Sequence, residues 1–152
     1  MPRAHLEKGS YDFSFSGLKT AVLNLVKEQH EREGELSHEF IADCCASFQE
    51  AVCDVLTDKL IRAAKEYKVT EVHLAGGVSA NRRLRAMAEE RVGKKFVLRY
   101  AADLSYCTDN AAMIAATAFY HYEKAPANYV IPFSGMGVAV LADPNLRMYS
   151  KR

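Results

Sequence analysis

The sequence predicts an α/β fold, rich in helix and built on a reduced parallel sheet. Three observations lead there. Two short β-rich runs, at 69–75 and 95–100, flank a helix-forming segment. Longer stretches before and after them repeat apolar residues at helical rather than alternating spacing. The order strand, helix, strand, helix across 69–122 is that of a parallel unit with a right-handed crossover. At 152 residues a single domain, 1–152, is expected, long enough to bury a core.

The elements follow in order. Residues 11–17 read as extended or turn-like, with Phe13 and Phe15 alternating and a break at Gly17. A first helix is expected over 18–31, with Leu18, Ala21, Val22, Leu25 and Val26 at helical spacing. The charged run 31–35 contains its stop, Gly34. A second, long helix should cover 38–67, with Ser37 as N-cap. Phe40, Ile41, Cys44, Cys45, Phe48, Val52, Val55, Leu56 and Leu60 mark a buried stripe on it, and Asp43, Glu50, Asp54, Asp58 and Lys59 fill the rest. After the 69–75 strand, a helix over 81–92 is closed by Gly93. The 95–100 strand and an alanine-rich helix over 109–122 complete the pattern. Pro126, Pro132 and Pro144 break up the tail, with loop expected at 131–137 and disorder at 146–152.

The join between the first strand and its helix is the candidate binding turn. Glu71-Val72-His73-Leu74 runs into Gly76-Gly77 and then Ser79-Ala80-Asn81. Paired glycines permit positive φ and let the main chain approach a ligand, and a helix start offers unpaired N–H groups. A nucleotide is the natural guest; an ordinary strand-to-helix turn explains the same pattern. Asn81 has an amide suited to a ribose hydroxyl or purine edge, and it is equally a helix cap, a role open to Ser79 as well. Asp109, in Thr108-Asp109-Asn110, suits a hard or borderline cation and is also a preferred N-cap. Asn110 would orient the aspartate or hold the turn.

Composition excludes several classes. Apolar residues make 49% and charged residues 26%, as in a globular protein, and the net charge of +1 predicts neither nucleic-acid nor membrane binding by bulk charge. No apolar run is long enough to span a bilayer. Met1-Pro2-Arg3 is not followed by a signal-peptide core, so a cytoplasmic location is expected. Cys44, Cys45, Cys53 and Cys107 form no Cys-x-x-Cys pair and are expected as buried free thiols. Arg82, Arg83, Arg85, Arg91, Lys94, Lys95 and Arg99 are a local basic excess without interleaved aromatics, read as a solvated helix face ahead of a phosphate-facing one. Ser14 and Ser16 lack the Gly-x-Ser-x-Gly setting of a hydrolase nucleophile, and Lys19 is a solvated helix charge.

Three blocks together resemble one family. They are Asp12-Phe13-Ser14-Phe15-Ser16-Gly17-Leu18-Lys19-Thr20-Ala21, Ala75-Gly76-Gly77-Val78-Ser79-Ala80-Asn81, and Cys107-Thr108-Asp109-Asn110-Ala111-Ala112-Met113-Ile114-Ala115. In this order they resemble the tRNA threonylcarbamoyladenosine transferases (TsaD or Gcp, formerly labelled O-sialoglycoprotein endopeptidase or glycoprotease). The likeness spans about residues 2–122 and weakens after Lys124. It implies the C-terminal lobe of an actin-like, sugar-kinase, chaperone-ATPase (ribonuclease H-like) fold whose N-terminal half is missing. That half carries a His-x-x-x-His metal motif in the family; His5, His30, His38, His73 and His121 show no such spacing.

The resemblance implies transfer of a threonylcarbamoyl group from threonylcarbamoyl-AMP to the N6 amine of the adenosine next to the anticodon of tRNA. It implies that Gly76, Gly77 and Asn81 contact the nucleotide, and that Asp109 ligates a divalent metal, iron or zinc, shared with histidines of the missing half. No catalytic group is assigned within this chain. Expected partners are tRNA, the adenylate, accessory proteins of the tRNA-modification complex, and a second copy, because a two-stranded remnant leaves sheet edges exposed. Three rivals stand beside this: a nucleotide-binding or regulatory module without transfer chemistry; the old metalloendopeptidase label, which calls for a His-Glu-x-x-His pattern that the chain lacks; and a purely structural fragment in which the nucleotide turn is not formed correctly.

Overall fold

The computed structural model describes residues 1–3 and 9–126; the expected tail loop at 131–137 and the segment 146–152 lie outside the described residues. These residues fall into two units, Met1–Asn110 and a second beginning at Ala111. The first contains helices α1 (Ser16–Glu33), α2 (His38–Glu66) and α3 (Arg82–Val92), and strands β1 (Glu71–Leu74) and β2 (Val97–Tyr100). Single 3₁₀ turns occupy Gly77–Ala80 and Leu104–Tyr106. The second unit contributes α4, Ala111–Lys124, in which Thr117 Oγ1 donates to Met113 O at 2.8 Å.

Local chemistry sets the ends of the helices. Ser37 caps α2 as expected, its Oγ accepting from Phe40 N–H at 3.1 Å, with Glu39 in the first turn and Lys65 in the last. The chain leaves α2 through Lys68, at φ 52°, a position where glycine is the usual occupant. Gly93, at φ 53°, closes α3, donating to Glu89 O at 3.0 Å. α1 differs from expectation: it starts at Ser16, so Gly17 lies inside its first turn rather than breaking the chain. Of its expected apolar face only Leu18 is fully buried, and Leu25 is 38% exposed.

β1 and β2 pair in parallel, with Val72 opposite Leu98 and Leu74 opposite Tyr100. The side-chain period of two places these four on one face. That face is covered by helix: Val72, Ala64 and Val92 pack together, joined by Leu60, Ile61, Phe96 and Leu98. A neighbouring cluster of Cys53, Leu84 and Met87, with Leu56 and Leu74, joins α2 to α3. The opposite face carries Glu71, His73, Val97 and Arg99; Glu71 pairs with Arg99 across the strands and with His73 at 3.0 Å. His73, Val97 and Arg99 on this face are exposed, and cross-strand charge pairs suit an exposed face.

The expected stripe on α2 is corrected in both directions. Ile41 and Phe48, at 44% and 40% exposure, and Cys45 are exposed, and Cys44 is half-buried, so burial is confined to the C-terminal half of the helix. The expected burial of the thiols therefore holds for Cys53 and Cys107 only. Conversely Lys59, expected on an outer face, is 3% exposed. Its ammonium donates to Asp12 O and lies 4.9 Å from the centre of the Phe13 ring. One turn on, Arg62 donates to Ser10 O and covers the Tyr11 ring at 4.8 Å. Each cation thus takes one backbone carbonyl and one aromatic face, which helps to offset its burial, although Arg62 Nε is buried with no hydrogen-bond partner among the described residues. Together they strap segment 10–13 along α2.

Polar contacts add register to the α2–α3 packing. Arg83 donates to both oxygens of Glu50, at 2.7 and 2.9 Å. Arg91 pairs with Asp54 and donates to Thr57 Oγ1 at 2.8 Å, and Arg3 reaches the same carboxylate at 2.6 Å.

Two outcomes follow from this packing. Leu84→Ala removes a side chain only 4% exposed and should cost about 2–5 kcal/mol in urea unfolding. Ile41→Ala, from the exposed end of the stripe, should stay within about 0.5 kcal/mol of the parent; equal losses would mean that the two ends of α2 are equally packed. The hydrogen bonds from Arg3 and then Arg91 hold the Asp54 carboxyl below its ordinary value of 3.8. Its contribution is fully present above that value and is lost as pH falls through the depressed one. Acid unfolding profiles of the parent and Asp54→Asn should therefore converge at the acid end; parallel profiles would remove Asp54 from the linkage.

Candidate functional site

The strand-to-helix join is not a single turn. β1 ends at Leu74, the chain turns at Gly76, a 3₁₀ turn covers Gly77–Ala80, and α3 starts only at Arg82. Gly76 has φ 81° and ψ 172°, a region that residues with a Cβ enter only with strain. Gly77 has an ordinary φ, and a Cβ on either glycine would meet nothing within 4 Å. One glycine is therefore required by the backbone, and both face open space. Gly76 O accepts from Ser79 N–H at 2.9 Å, and Val78 O from Asn81 N–H at 3.0 Å, which fixes the shape of the turn.

Asn81, and not Ser79, caps α3: its Oδ1 accepts from Leu84 N–H at 3.0 Å. Its Nδ2 donates to Gln49 Oε1 of α2, also at 3.0 Å. An amide has two N–H donors and two carbonyl lone pairs, so one of each remains for another partner. Ser79 instead is 2% exposed, and its Oγ is buried with no hydrogen-bond partner among the described residues. Beside it runs a groove of about 590 Å³ between the turn, α2 and the strapped segment, lined by Phe13, Leu60, Tyr67, His73 and Val78 among others.

Asp109 lies on a separate loop. Asp103 shapes the start of this loop, its Oδ1 accepting from Ser105 N–H at 2.9 Å and Ser105 Oγ at 2.8 Å, and these bonds hold its carboxyl below the ordinary value. Cys107 is buried at 3% exposure; Asn110 Nδ2 donates to Thr108 O at 3.0 Å. Asp109 is exposed and precedes α4 by two residues, so the expected helix start at 109 moves to Ala111. Among the described residues no three His, Cys, Asp or Glu side chains come together as a metal site. Asp109 by itself offers a cation one carboxylate, too few donors for a protein-held transition metal.

The basic segment is largely the solvated face expected of it, with Arg82, Arg91, Lys94, Lys95 and Arg99 exposed and Arg83 and Arg85 half-buried, but several of its cations are already paired. Arg83 and Arg91 anchor α3 to Glu50 and Asp54, Arg99 pairs with Glu71, and Arg85 reaches Ser79 O and Cys107 Sγ. Arg82, Lys94 and Lys95 are the exposed cations left in it. Arg85 escapes sequence inspection because nothing in Arg82-Arg83-Leu84-Arg85 distinguishes it from its neighbours.

Comparison with known proteins decides the family. The model of the family described as TsaD, tRNA N6-adenosine threonylcarbamoyltransferase, matches residues 1–116. The chain belongs to the tRNA N6-adenosine threonylcarbamoyltransferase family. A protein of that name from Geobacillus thermodenitrificans is 51% identical over 126 residues, 80% of this chain and 35% of the relative. Its counterpart in Bacillus cereus strain ATCC 14579 is 52% identical over 125 residues, 82% of this chain and 36% of the relative. That of Bacillus subtilis strain 168 is 50% identical over 125 residues, 82% and 35%. The chain thus spans about a third of the length of the transferases it matches. The two-stranded parallel sheet under helices is compatible with part of an α/β domain, and the family implies the actin-like, sugar-kinase, chaperone-ATPase fold. Among the described residues no helix is long and apolar enough to cross a membrane.

The turn geometry separates its two glycines. Gly76→Ala forces a Cβ into φ 81° and should cost about 1–3 kcal/mol of stability. Gly77→Ala, with ordinary φ and open space, should change the unfolding midpoint little. Equal losses in thermal or urea unfolding would contradict the backbone assignment.

Proposed function

We propose that this chain forms one wall of a threonylcarbamoyl-transfer site, with Gly76, Gly77 and Asn81 against the nucleotide of threonylcarbamoyl-AMP. The observation that carries this is the glycine turn: a backbone held at positive φ, open in front of both glycines, inside a family whose members are named for tRNA adenosine transfer. In the proposed reaction the N6 amine of a tRNA adenosine attacks the threonylcarbamoyl carbonyl carbon. The bond from that carbon to the adenylate phosphate oxygen breaks, the amine loses a proton, and AMP departs. The turn lets the main chain approach the departing nucleotide, and the remaining N–H and lone pair of Asn81 suit a ribose hydroxyl or purine edge.

Asp109 is proposed as a single carboxylate ligand to a divalent cation, iron or zinc, whose other ligands lie outside this chain. No step is assigned to that cation, because the described residues do not form its site. Arg82, Lys94 and Lys95 are the cations of the basic segment available to tRNA phosphates. Accessory proteins of the modification complex would meet the chain in its assembled state. The β1 edge, which pairs with no strand among the described residues, and the exposed His73, Val97 and Arg99 on one face of the sheet support self-association as well. Light scattering over a dilution series should show mass rising with concentration, and a constant monomer mass would remove that proposal.

Transfer needs groups preorganised around both reactants, so the chain by itself is expected to be inactive toward tRNA. Nucleotide binding is expected to be weak, because an open turn covers less of its ligand than the roughly 70–90% buried in an ordinary pocket. Titration of AMP followed by amide NMR should move resonances at 76–81 in the wild type and leave them unmoved in folded Gly77→Ala. Equal shifts in both proteins would contradict close approach of the nucleotide at Gly77, and no shifts at 76–81 in the wild type would contradict nucleotide contact at this turn. Transfer by the isolated chain, free of host enzyme, would show that the site is complete within it.

A further inference from the structure

Among the described residues, Arg85 is the one side chain shown to touch both the glycine turn and the loop leading to Asp109. From the first turn of α3 its Nε donates to Ser79 O at 2.6 Å. Its Nη2 reaches Cys107 Sγ at 3.2 Å. Its guanidinium carbon lies 4.3 Å from the centre of the Tyr100 ring at the end of β2. The ring is itself held, its hydroxyl donating to the Glu89 carboxylate, one helical turn beyond Arg85. Three segments that are distant in sequence thus converge on one planar cation.

Each end of this bridge is placed where movement matters. Ser79 belongs to the 3₁₀ turn directly after Gly76 and is 2% exposed. Cys107 is 3% exposed and stands two residues before Asp109. Its N–H donates to Leu104 O at 3.0 Å, so the loop is anchored by its own backbone as well as by the guanidinium. Among the described residues, this side chain is the contact shown to join the turn to Cys107. Lysine could not substitute: its ammonium is a point donor on a flexible stem, whereas the guanidinium donates in two directions while its plane stacks on a ring.

We propose that Arg85 is a positioning residue that locks the glycine turn to the loop bearing Asp109, so that the nucleotide-facing and cation-facing groups keep one spacing. Arg85 touches no proposed ligand and acts through Ser79 and Cys107. The proposal rests on the assignment of those two segments to a common site; the lock itself can be read without any ligand.

The test uses the whole chain and amide hydrogen exchange in ligand-free protein. Loss of one or two hydrogen bonds and a stacked cation should speed local opening about tenfold. Arg85→Lys should therefore raise exchange at both 77–81 and 104–109. Cys107→Ala, which leaves Arg85 in place, should raise exchange at the turn, some 26 residues away in sequence. Arg83→Lys, which loosens α3 from Glu50, should not change the 104–109 loop. Tyr100→Phe keeps the stacked ring and should behave as the wild type at both segments. Faster exchange confined to the mutated segment, in either Arg85→Lys or Cys107→Ala, would overturn the lock, as would a uniform rise over the whole chain. If Arg85→Lys does not fold, Cys107→Ala carries the test alone: a rise at 77–81 supports the lock and none refutes it. With AMP added, wild-type shifts should extend from the turn into 107–109 and stop at the turn in Arg85→Lys. An absence of AMP shifts anywhere would count against the nucleotide assignment, while the ligand-free exchange result still decides the lock.

Discussion

The packing of α3 on α2 is the constraint on which the candidate site depends. Leu84 and Met87 bury against Cys53, while Arg83 and Arg91 pair with Glu50 and Asp54 on either side of that contact. The apolar contact supplies most of the stabilisation, because ion pairs this exposed contribute about 0–1 kcal/mol each. The pairs instead fix how far along α2 the helix sits. Asn81 then draws the start of α3 against Gln49, and the 3₁₀ turn between β1 and α3 has both ends fixed. A turn held in this way can keep Gly76 at positive φ without a ligand to enforce it.

The same packing explains how the basic segment is used. A run of arginines beside a candidate nucleotide turn invites a phosphate-binding interpretation. In the structure Arg83, Arg91 and Arg99 are taken up by carboxylates, and Arg85 by a carbonyl, a thiol and a ring. What remains for an anionic partner is smaller and lies at Arg82, Lys94 and Lys95. The Phe13 block gains a physical role too: Lys59 and Arg62 bind its leading segment along α2, so Phe13 helps to wall the groove beside the turn.

Much of this was legible in the sequence, for reasons that differ by element. Ser37 and Gly93 mark helix ends through local chemistry, and the structure places both ends there. Parallel pairing of 71–74 with 97–100 follows from the order of elements. The glycine pair is visible in the sequence, but the 3₁₀ turn that follows it is not, because Ser79 and Asn81 are both good caps; the local bond to Leu84 N–H makes Asn81 the cap, and the tertiary contact with Gln49 favours it. Periodicity could not show that the stripe on α2 is buried only toward its C-terminal end: that depends on which elements lie opposite, and α3 faces residues from about Glu50 onward. Lys59 departs from its expected exposure for a related reason, since a lysine reads as exposed until a carbonyl and an aromatic face are brought to it.

On the proposed reading, this chain supplies the nucleotide-facing wall of a threonylcarbamoyl-transfer site. The direct measurement replaces the matching third of the Bacillus subtilis relative with residues 1–124 of this chain and assays transfer of labelled threonylcarbamoyl to tRNA. At 50% identity over the matched region the two parts should assemble. A nucleotide wall at this turn implies a folded chimera that transfers the label and loses transfer when Gly77 is replaced by Ala. A folded chimera that binds tRNA yet transfers nothing, or one that is indifferent to Gly77→Ala, would contradict it.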